Sequence, residues 1–529
     1  MIPKFTPSRR AAALSVAIGA LSLAAPTFAA EPNLTATTRS GKVEGFLKGG
    51  SVAFLGIPYA APPVGARRWA PPAAPTAWDG LRKATSFSAS CPQTLSGPGG
   101  RAPWTPEYMI PGPMSEDCLY LNVWKPAKAV KGAPVLVFFH GGGNVEGSSS
   151  IDVYNGANLA SRGIVVVNLN YRLGVLGFMS HPALNAEQGG RSGNYGLQDI
   201  LTALKWVKAN AAAFGGDPSR VTISGQSAGS GDVMAMITAP EAKGLFSRAI
   251  MESGAGWNPG ATTLAAAAPR GEAFGKKIGA PTLEALRALP ADALVKAAVD
   301  NGARFGPIVD GTLLPIDPYI AQETGRFNDT PMISGANADE GSGFESDYGQ
   351  LTVDGLNKAR DQKFWPVGAQ AAKFYSATSD AEAGPMGKTL SRDRSQGYGD
   401  QWAKRRTPHS KYPLYLYHFD HPEPGPTQAR YGTFHTAEIP YVFQNLDAPR
   451  PFTDEDHKVS DEMATRWVNF IKGGAPDAPG RPKWPAYSIS APKIMMLGDK
   501  VGGEALLTPE KRKLFDDMVD RGGRFTSRY

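Results

Sequence analysis

The stretch that decides the fold is Val221-Thr222-Ile223-Ser224-Gly225-Gln226-Ser227-Ala228-Gly229, in which an apolar run leads directly into a serine flanked by glycines. Small residues around the serine let the backbone bend sharply at the end of a strand, so that the hydroxyl projects from the turn. The Gly-x-Ser-x-Gly pattern also occurs by chance, and a structural serine in a glycine-rich turn is the alternative. Because an apolar run precedes the pattern here, we predict that Ser227 is a nucleophile at a strand-to-helix turn.

Five further apolar runs, each followed by turn residues, lie at 135–139, 164–168, 248–251, 331–334 and 414–419. Residues 195–214 carry apolar side chains at helical spacing and end at Gly215-Gly216, which predicts a crossover helix. Nearly continuous apolar strands are typical of a parallel sheet buried on both faces. We therefore predict an α/β fold with a large, mostly parallel central sheet, helices on both faces and a functional site at the carboxyl ends of the strands.

A serine hydroxyl is a weak nucleophile at neutral pH, so it needs a base, and the base needs an acid that orients it. In a fold of this kind the order along the chain is serine, acid, histidine. Asp339 and Glu340 follow an apolar run, and either is a candidate acid, with a solvated loop charge as the alternative. The residues alone leave the base open among His409, His418, His421, His435 and His457.

The triple glycine in His140-Gly141-Gly142-Gly143 follows the run at 135–139. Glycines at this place let backbone N–H groups approach the negative oxygen that develops during acyl transfer. A phosphate-binding loop is the rival interpretation, but no Lys-Ser or Lys-Thr pair follows the glycines.

The composition excludes several classes of protein. With 529 residues, 42% hydrophobic and 19% charged side chains, the chain has the balance of a folded globular protein rather than of a disordered or collagenous one. Lysine and arginine are scattered along the chain, so nothing predicts nucleic-acid binding. No metal or organic cofactor is implied.

The first thirty residues are typical of an export signal. Lys4, Arg9 and Arg10 precede an apolar run over 11–25, which is shorter than the roughly 20 residues that a membrane span needs. We predict a signal peptide over 1–29 with cleavage after Ala29, no stable membrane insertion, and a periplasmic or secreted protein; the arginine pair leaves a twin-arginine route open. Removing 1–29 leaves 52 basic against 48 acidic residues, because the segment holds three basic and no acidic side chains.

Cys91 and Cys118 flank a stretch rich in proline and glycine. In an exported chain we predict a disulfide between them, which contributes on the order of 3 kcal/mol by restricting the unfolded chain. Two separate buried thiols are the alternative. A metal site is disfavoured because no histidine stands at ligand spacing from either cysteine.

Seven collinear motifs carry a family resemblance. They are Phe54-Leu55-Gly56-Ile57-Pro58-Tyr59-Ala60 with Pro62-Pro63-Val64-Gly65, Ser115-Glu116-Asp117-Cys118-Leu119-Tyr120-Leu121-Asn122, the triple glycine, Asn170-Tyr171-Arg172, Asn194-Tyr195-Gly196-Leu197-Gln198-Asp199, the serine turn, and Gly432-Thr433-Phe434-His435-Thr436-Ala437-Glu438-Ile439-Pro440. The chain resembles the type B carboxylesterases, a branch of the α/β-hydrolases that includes cholinesterases and bacterial para-nitrobenzyl esterases. The order of the motifs predicts a single α/β-hydrolase domain over 30–529. Because strand signals resume after each of them, the helix-prone segments 257–327 and 348–402 are predicted to be insertions that cap the sheet.

The resemblance also implies roles for individual residues. Ser227 is implied as the nucleophile, Glu340 as the orienting acid and His435 as the general base and acid. The oxyanion-hole donors that it implies are the N–H groups of Gly142, Gly143 and Ala228. It further matches Cys91–Cys118 to the first disulfide of the family, Arg68 and Glu116 to an ion pair beneath that loop, and Ser253 to a buried structural serine.

Two positions depart from the family pattern. Gln226 stands where the family usually has glutamate, which argues against a pocket selective for cationic esters. Trp104 lies in the loop where cholinesterases carry a cation-binding tryptophan, but its spacing to Cys118 differs. We interpret Trp104 as a packing residue or gorge wall, with a cation–π site as the alternative.

The expected activity is that of an exported serine carboxylesterase, which hydrolyses small-molecule carboxylic esters through an acyl-enzyme on Ser227. An amidase, lactonase or carbamate hydrolase can use the same three side chains. The rival from another class is a non-catalytic binding module on the same fold, although such relatives have usually lost the serine or the histidine.

Overall fold

In the part of the chain that the structure describes, eleven strands form one large sheet and three short strands form a second. The structure is a computed structural model, and it describes residues 1–7, 32–94, 101–128, 130–254, 256, 258–447 and 450–525. Of the predicted export segment it therefore describes 1–7 alone, and the predicted cleavage point after Ala29 lies outside the described residues. Residues Pro32–Tyr529 form one compact unit.

The strands follow the predicted runs closely. Their bounds are β1 Thr35–Thr38, β2 Gly41–Glu44, β3 Phe46–Lys48, β4 Ser51–Pro58, β5 Leu81–Lys83, β6 Tyr120–Pro126, β7 Ala133–Phe139, β8 Val165–Leu169, β9 Gly216–Gln226, β10 Arg248–Glu252, β11 Met332–Asn337, β12 Leu414–Phe419, β13 Lys493–Leu497 and β14 Gly502–Ala505. Each of the six runs singled out in the sequence, including the one before Ser227, overlaps a strand of the large sheet.

The centre of the large sheet is parallel. Strands β8, β7, β9, β10, β11, β12 and β13 are neighbours in this order and run parallel to one another. Antiparallel β3, β4 and β6 extend the β8 side, and β14 pairs antiparallel with β13. Because parallel strands end at the same edge of a sheet, the carboxyl ends of β9, β10, β11 and β12 lie side by side there. The mostly parallel sheet confirms the predicted α/β class.

Helices cover the sheet and connect its strands. Their bounds are α1 Ala157–Ser161, α2 Gly174–Phe178, α3 Pro182–Glu187, α4 Tyr195–Asn210, α5 Ala228–Thr238, α6 Leu264–Lys277, α7 Leu283–Ala288, α8 Ala291–Asp300, α9 Pro318–Glu323, α10 Val353–Lys363, α11 Gly368–Ala371, α12 Asp380–Arg406, α13 Gln428–Tyr431, α14 Ile439–Phe443, α15 Asp454–Gly473 and α16 Pro509–Asp520. The predicted crossover helix is α4, which continues as a 3₁₀ turn over Ala211–Phe214 before Gly215.

The two faces of β7 show why its sequence is apolar throughout. Val135 and Val137 belong to the core cluster that includes α4, whereas Leu136 and Phe138 belong to the cluster that includes α15. Successive side chains of a strand point to opposite faces, so a strand between two helical layers buries every side chain. This arrangement confirms the predicted helices on both faces.

Two smaller apolar clusters lie in the segments predicted as caps. One joins α6, α7 and α8, and the other joins α10, α11 and α12 to α16 near the end of the chain. Each cluster buries its own leucine and aromatic side chains, so these segments are packed structure that adds to the sheet core.

The predicted disulfide between Cys91 and Cys118 is present. Beneath it, Arg68 Nε and Nη2 donate to the two carboxylate oxygens of Glu116 at 2.7 and 2.5 Å. A bidentate pair that is mostly shielded from water holds its geometry better than an exposed pair. Within the described residues, no helix combines the length and apolarity that crossing a membrane requires.

Candidate active site

The nucleophile turn joins β9 to α5. Ser227 has φ 57° and ψ −119°, a strained combination for a residue with a side chain, and its N–H donates to the carbonyl of Glu252 at 2.8 Å. A Cβ on Gly225 would lie 2.3 Å from the carbonyl oxygen of Gly229, and one on Gly229 would lie 2.1 Å from that of Phe139. A side chain at either position would collide with backbone atoms. Close packing of the backbone therefore requires both glycines of the Gly-x-Ser-x-Gly pattern.

Glu340 and His435 come from two different loops and meet at the carboxyl edge of the sheet. Glu340 Oε2 hydrogen-bonds His435 Nδ1, and Glu340 Oε1 accepts from the N–H of Asn337 at 2.8 Å. Both residues are buried, with 4% of the surface of Glu340 and 3% of that of His435 exposed. A carboxylate on Nδ1 fixes the imidazole tautomer and leaves Nε2 as the nitrogen that can accept a proton.

The surroundings of Glu340 keep it ionised. Burial alone would raise the pKa of Glu340, but the charge of His435 and hydrogen bonds from His435, Asn337 and Ser253 together lower that pKa below its ordinary value. Glu340 is therefore a carboxylate at neutral pH and can hold the imidazole in place.

Gln226 lies against Nε2 of the imidazole. Its Nε2 is 3.2 Å from His435 Nε2, and Gln226 directly precedes Ser227 in the chain. The turn, the imidazole and the carboxylate therefore form one continuous arrangement at the edge of the sheet. The structure brings Ser227, Glu340 and His435 to the same place across the 208 residues that separate the first from the last.

The other four candidate histidines have different surroundings. His409 and His457 are exposed, and His421 lies between Asp499 and Asp456 at 2.6 and 3.0 Å. His418 is buried in β12, where burial and then Arg392 lower its pKa to about 4. Among the described residues, none of these four histidines shares a hydrogen bond with Glu340 in the way that His435 does.

Asp339, the other candidate acid, ties loops together. It accepts from Tyr348 Oη at 3.0 Å, from Arg392 Nη2 at 2.9 Å and from the N–H of Thr433 at 3.1 Å. Its carboxylate thus braces the segment that leads to His435, while the neighbouring Glu340 reaches the imidazole.

The glycine loop packs against Ser227. A Cβ on Gly141 would lie 3.1 Å from Ser227 Cβ, and one on Gly142, at φ 101°, would lie 2.2 Å from the carbonyl oxygen of Glu146. Ala228 is the first residue of α5, and the first N–H groups of a helix point out of its N-terminus without intrahelical partners. The glycine loop and the N-terminus of α5 therefore both lie beside Ser227.

Aromatic side chains line the same region. Phe344, with 49% of its surface exposed, packs its ring 5.3 Å from that of His435 and 5.2 Å from Trp104. Trp104 Nε1 donates to the carbonyl of His435 at 3.1 Å and to Thr436 Oγ1 at 2.8 Å, and Arg101 lies 5.0 Å over its ring. Trp104 thus packs on the histidine loop, and one ring face already carries a cation of the chain itself.

Sequence reasoning missed two buried acids beside this site, Glu252 and Glu438. Burial and then the proximity of Glu438 raise the pKa of Glu252 to about 8, and burial and then Glu340 raise the pKa of Glu438 to about 7. Glu438 Oε1 accepts from Ser253 Oγ at 3.2 Å, and its Oε2 accepts from Asn337. Glu438 lies inside the last of the seven motifs and Glu252 directly follows the apolar run at 248–251, but charge in a sequence does not report burial.

Comparison with known proteins agrees with this geometry. A family model described as the carboxylesterase family matches residues 32–513. The chain belongs to the carboxylesterase family. Fumonisin B1 esterase of Sphingopyxis macrogoltabida is 36% identical over 536 residues, covering 96% of this chain and 95% of that protein. Para-nitrobenzyl esterase of Bacillus subtilis strain 168 is 35% identical over 508 residues, covering 90% and 98%.

The fold comparison gives the same answer. A solved structure of a PNB esterase superposes with a TM-score of 0.77 at 34% identity, covering 91% of this chain and 99% of that one. The carboxylesterase therefore has the α/β-hydrolase fold that the resemblance implied, and it is a carboxylic ester hydrolase. Among the described residues, no group of three or more histidine, cysteine, aspartate or glutamate side chains could hold a metal ion.

Proposed function

We propose that this protein is an exported serine carboxylesterase in which Ser227 is the nucleophile, His435 the general base and acid, and Glu340 the acid that orients the imidazole. The observation that carries the proposal is the hydrogen bond from His435 to buried Glu340 directly beside the strained serine turn. A nucleophile, a base and an orienting carboxylate in this order are the minimum that acyl transfer through serine requires.

The reaction proceeds through an acyl-enzyme. Ser227 Oγ attacks the ester carbonyl while His435 Nε2 takes the hydroxyl proton, and Glu340 stabilises the resulting imidazolium. The oxygen that becomes negative accepts hydrogen bonds from the N–H groups of Gly142, Gly143 and Ala228, each worth about 3 kcal/mol in the transition state. His435 then protonates the leaving alcohol, and a water molecule activated by the same imidazole releases the acid.

The exposed apolar surface near the site supports esters with an apolar or aromatic group. Phe344 and Val145 are 49% and 46% exposed, and Phe344 contacts the catalytic imidazole while Val145 follows the glycine loop. A bound apolar group would cover these side chains and remove them from water, at about 25 cal/mol per Å² buried.

The test uses Ser227→Ala with two readouts. We expect wild type to hydrolyse para-nitrophenyl acetate and to be labelled by a fluorophosphonate probe, and Ser227→Ala to lose both while its thermal unfolding is unchanged. Ser219→Ala, an exposed serine on β9, is the matched control and should keep the label. A folded Ser227→Ala protein with wild-type hydrolysis contradicts the proposal, and an unlabelled, inactive wild type favours a binding module.

A further inference from the structure

Glu252 lies directly beneath the nucleophile turn. It is the last residue of β10, its backbone carbonyl accepts the N–H of Ser227 at 2.8 Å, and only 1% of its surface is exposed. Its carboxyl group bridges two further elements, because Oε1 accepts from Trp467 Nε1 on α15 at 3.0 Å and Oε2 lies 3.1 Å from Ser224 Oγ on β9. One side chain thus joins β9, β10 and α15 around the serine.

No positive charge balances this carboxyl group among the described residues. The groups that face it are Ser224 on β9, Trp467 on α15, Glu438 in the histidine loop, Tyr154 in the 3₁₀ turn over Asp152–Tyr154, and Tyr417 on β12. Glu340 and His435 lie beyond Glu438, and they are paired with each other. An unpaired carboxylate in such a place costs several kcal/mol of desolvation, and a second acid nearby adds repulsion.

We propose that Glu252 is a positioning residue that acts as a neutral carboxylic acid, with its proton directed to Ser224 Oγ and its carbonyl oxygen accepting from Trp467. In this form both oxygens have hydrogen-bond partners and no buried charge is left uncompensated. The hydrogen bonds of Glu252 to Ser224 and Trp467 fix the end of β10, and the Glu252 carbonyl at that end accepts the N–H of Ser227. The inference rests on the proposed role of Ser227 as the nucleophile.

Ionisation of Glu252 would weaken the site in two ways. The new carboxylate repels Glu438, and it places negative charge near the position where the substrate oxygen becomes negative in the transition state. Because burial and Glu438 raise the pKa of Glu252 to about 8, this ionisation falls in mildly alkaline solution. We therefore expect kcat to decline on the alkaline side through a group that neither attacks nor transfers a proton to the substrate.

Two variants separate the neutral acid from the carboxylate. Glu252→Gln keeps an acceptor for Trp467 and a donor for Ser224 but cannot ionise, so it should retain kcat within about twofold at neutral pH and lose the alkaline decline. Glu252→Leu leaves Trp467 and Ser224 without partners and should lower kcat by about tenfold or more through misplacement of the turn. Glu241→Gln, an exposed acid paired with Lys205, is the matched control and should keep the wild-type profile.

The experiment measures kcat for para-nitrophenyl acetate from about pH 6 to about pH 9.5, with far-ultraviolet circular dichroism to check folding. Infrared difference spectra in D₂O between wild type and Glu252→Gln should show a protonated carboxyl band at neutral pH that the variant lacks. The inference is overturned if folded Glu252→Gln keeps the alkaline decline, loses more than about tenfold in kcat at neutral pH, or shows no such band. A folded, fully active Glu252→Leu protein overturns the claim that the hydrogen bonds of Glu252 position the serine turn.

These outcomes are distinct from failure of the proposed function. Wild type that neither hydrolyses the ester nor takes the fluorophosphonate label refutes the serine mechanism, and the infrared band still decides whether Glu252 is protonated. An active wild type with the wrong Glu252→Gln profile refutes the role of Glu252 alone.

Discussion

At the scale of single residues, the amide of Gln226 contacts the imidazole nitrogen that accepts the serine proton in the proposed mechanism. Its Nε2 lies 3.2 Å from His435 Nε2, and it is buried. A neutral side chain here leaves Glu340 as the carboxylate bonded to the imidazole. Gln226 therefore adds no second negative charge beside the imidazole.

Gln226→Glu tests this point. A carboxylate beside the imidazole favours the imidazolium ion, so we expect the acid limb of the kcat/KM profile to move by about one pH unit to higher pH. Gln350→Glu, on an exposed position, is the control and should leave the limb in place. An unchanged acid limb in folded Gln226→Glu would show that Gln226 does not govern the base.

At the scale of elements, the disulfide loop is hydrogen-bonded to the loop that carries His435. Cys91 and Cys118 are 27 residues apart, and Trp104 within this loop donates to the carbonyl of His435. Arg68 and Glu116 add an ion pair beneath the same loop. The loop therefore positions the wall of the site from outside the sheet.

Replacement of both cysteines by serine should lower the free energy of unfolding by about 3 kcal/mol, since the covalent bond restricts the unfolded chain. We expect a smaller effect on chemistry than on stability, because Trp104 keeps its hydrogen bonds to the histidine loop. Urea unfolding of oxidised wild type, reduced wild type and the double variant checks the expectation. A double variant as stable as oxidised wild type would contradict it.

At the scale of the whole molecule, the folded unit begins at Pro32, three residues before β1. We expect the exported protein to begin at Ala30, as intact-mass measurement of material from a periplasmic or culture fraction will show. A chain that starts at residue 30 should match the exported protein in melting temperature and kcat, because the first strand among the described residues, β1, begins at Thr35. Exported protein that retains residues 1–29 would contradict the predicted signal peptide.

Much of the fold was predictable because the determining signals are local. The apolar runs became β7 to β12, and the helix predicted over 195–214 became α4 and its 3₁₀ turn. Glycines 225 and 229 marked the turn because any side chain there would strike backbone atoms. The capping segments were harder to interpret, since their clusters form between helices that are far apart in the chain.

The acids around the site show the opposite case. Asp339 and Glu340 are adjacent in sequence, yet one braces loops and the other reaches the imidazole. Glu252 and Glu438 were not identified as part of the site, because a glutamate in a sequence carries no record of whether water surrounds it. Their protonation depends on burial and on one another, which are properties of the folded chain.

The sequence by itself determined the strand and turn pattern, the strained serine and the glycines around it, because these depend on the backbone preferences of neighbouring residues. The local pattern left the acid and the base open, and the family resemblance implied Glu340 and His435. Only the tertiary structure shows that these two side chains meet and that, among the described residues, no cation balances Glu252. The physical reason is distance: the parallel order of β9, β10, β11 and β12 brings residues more than a hundred positions apart to one edge, where contact and burial set their chemistry.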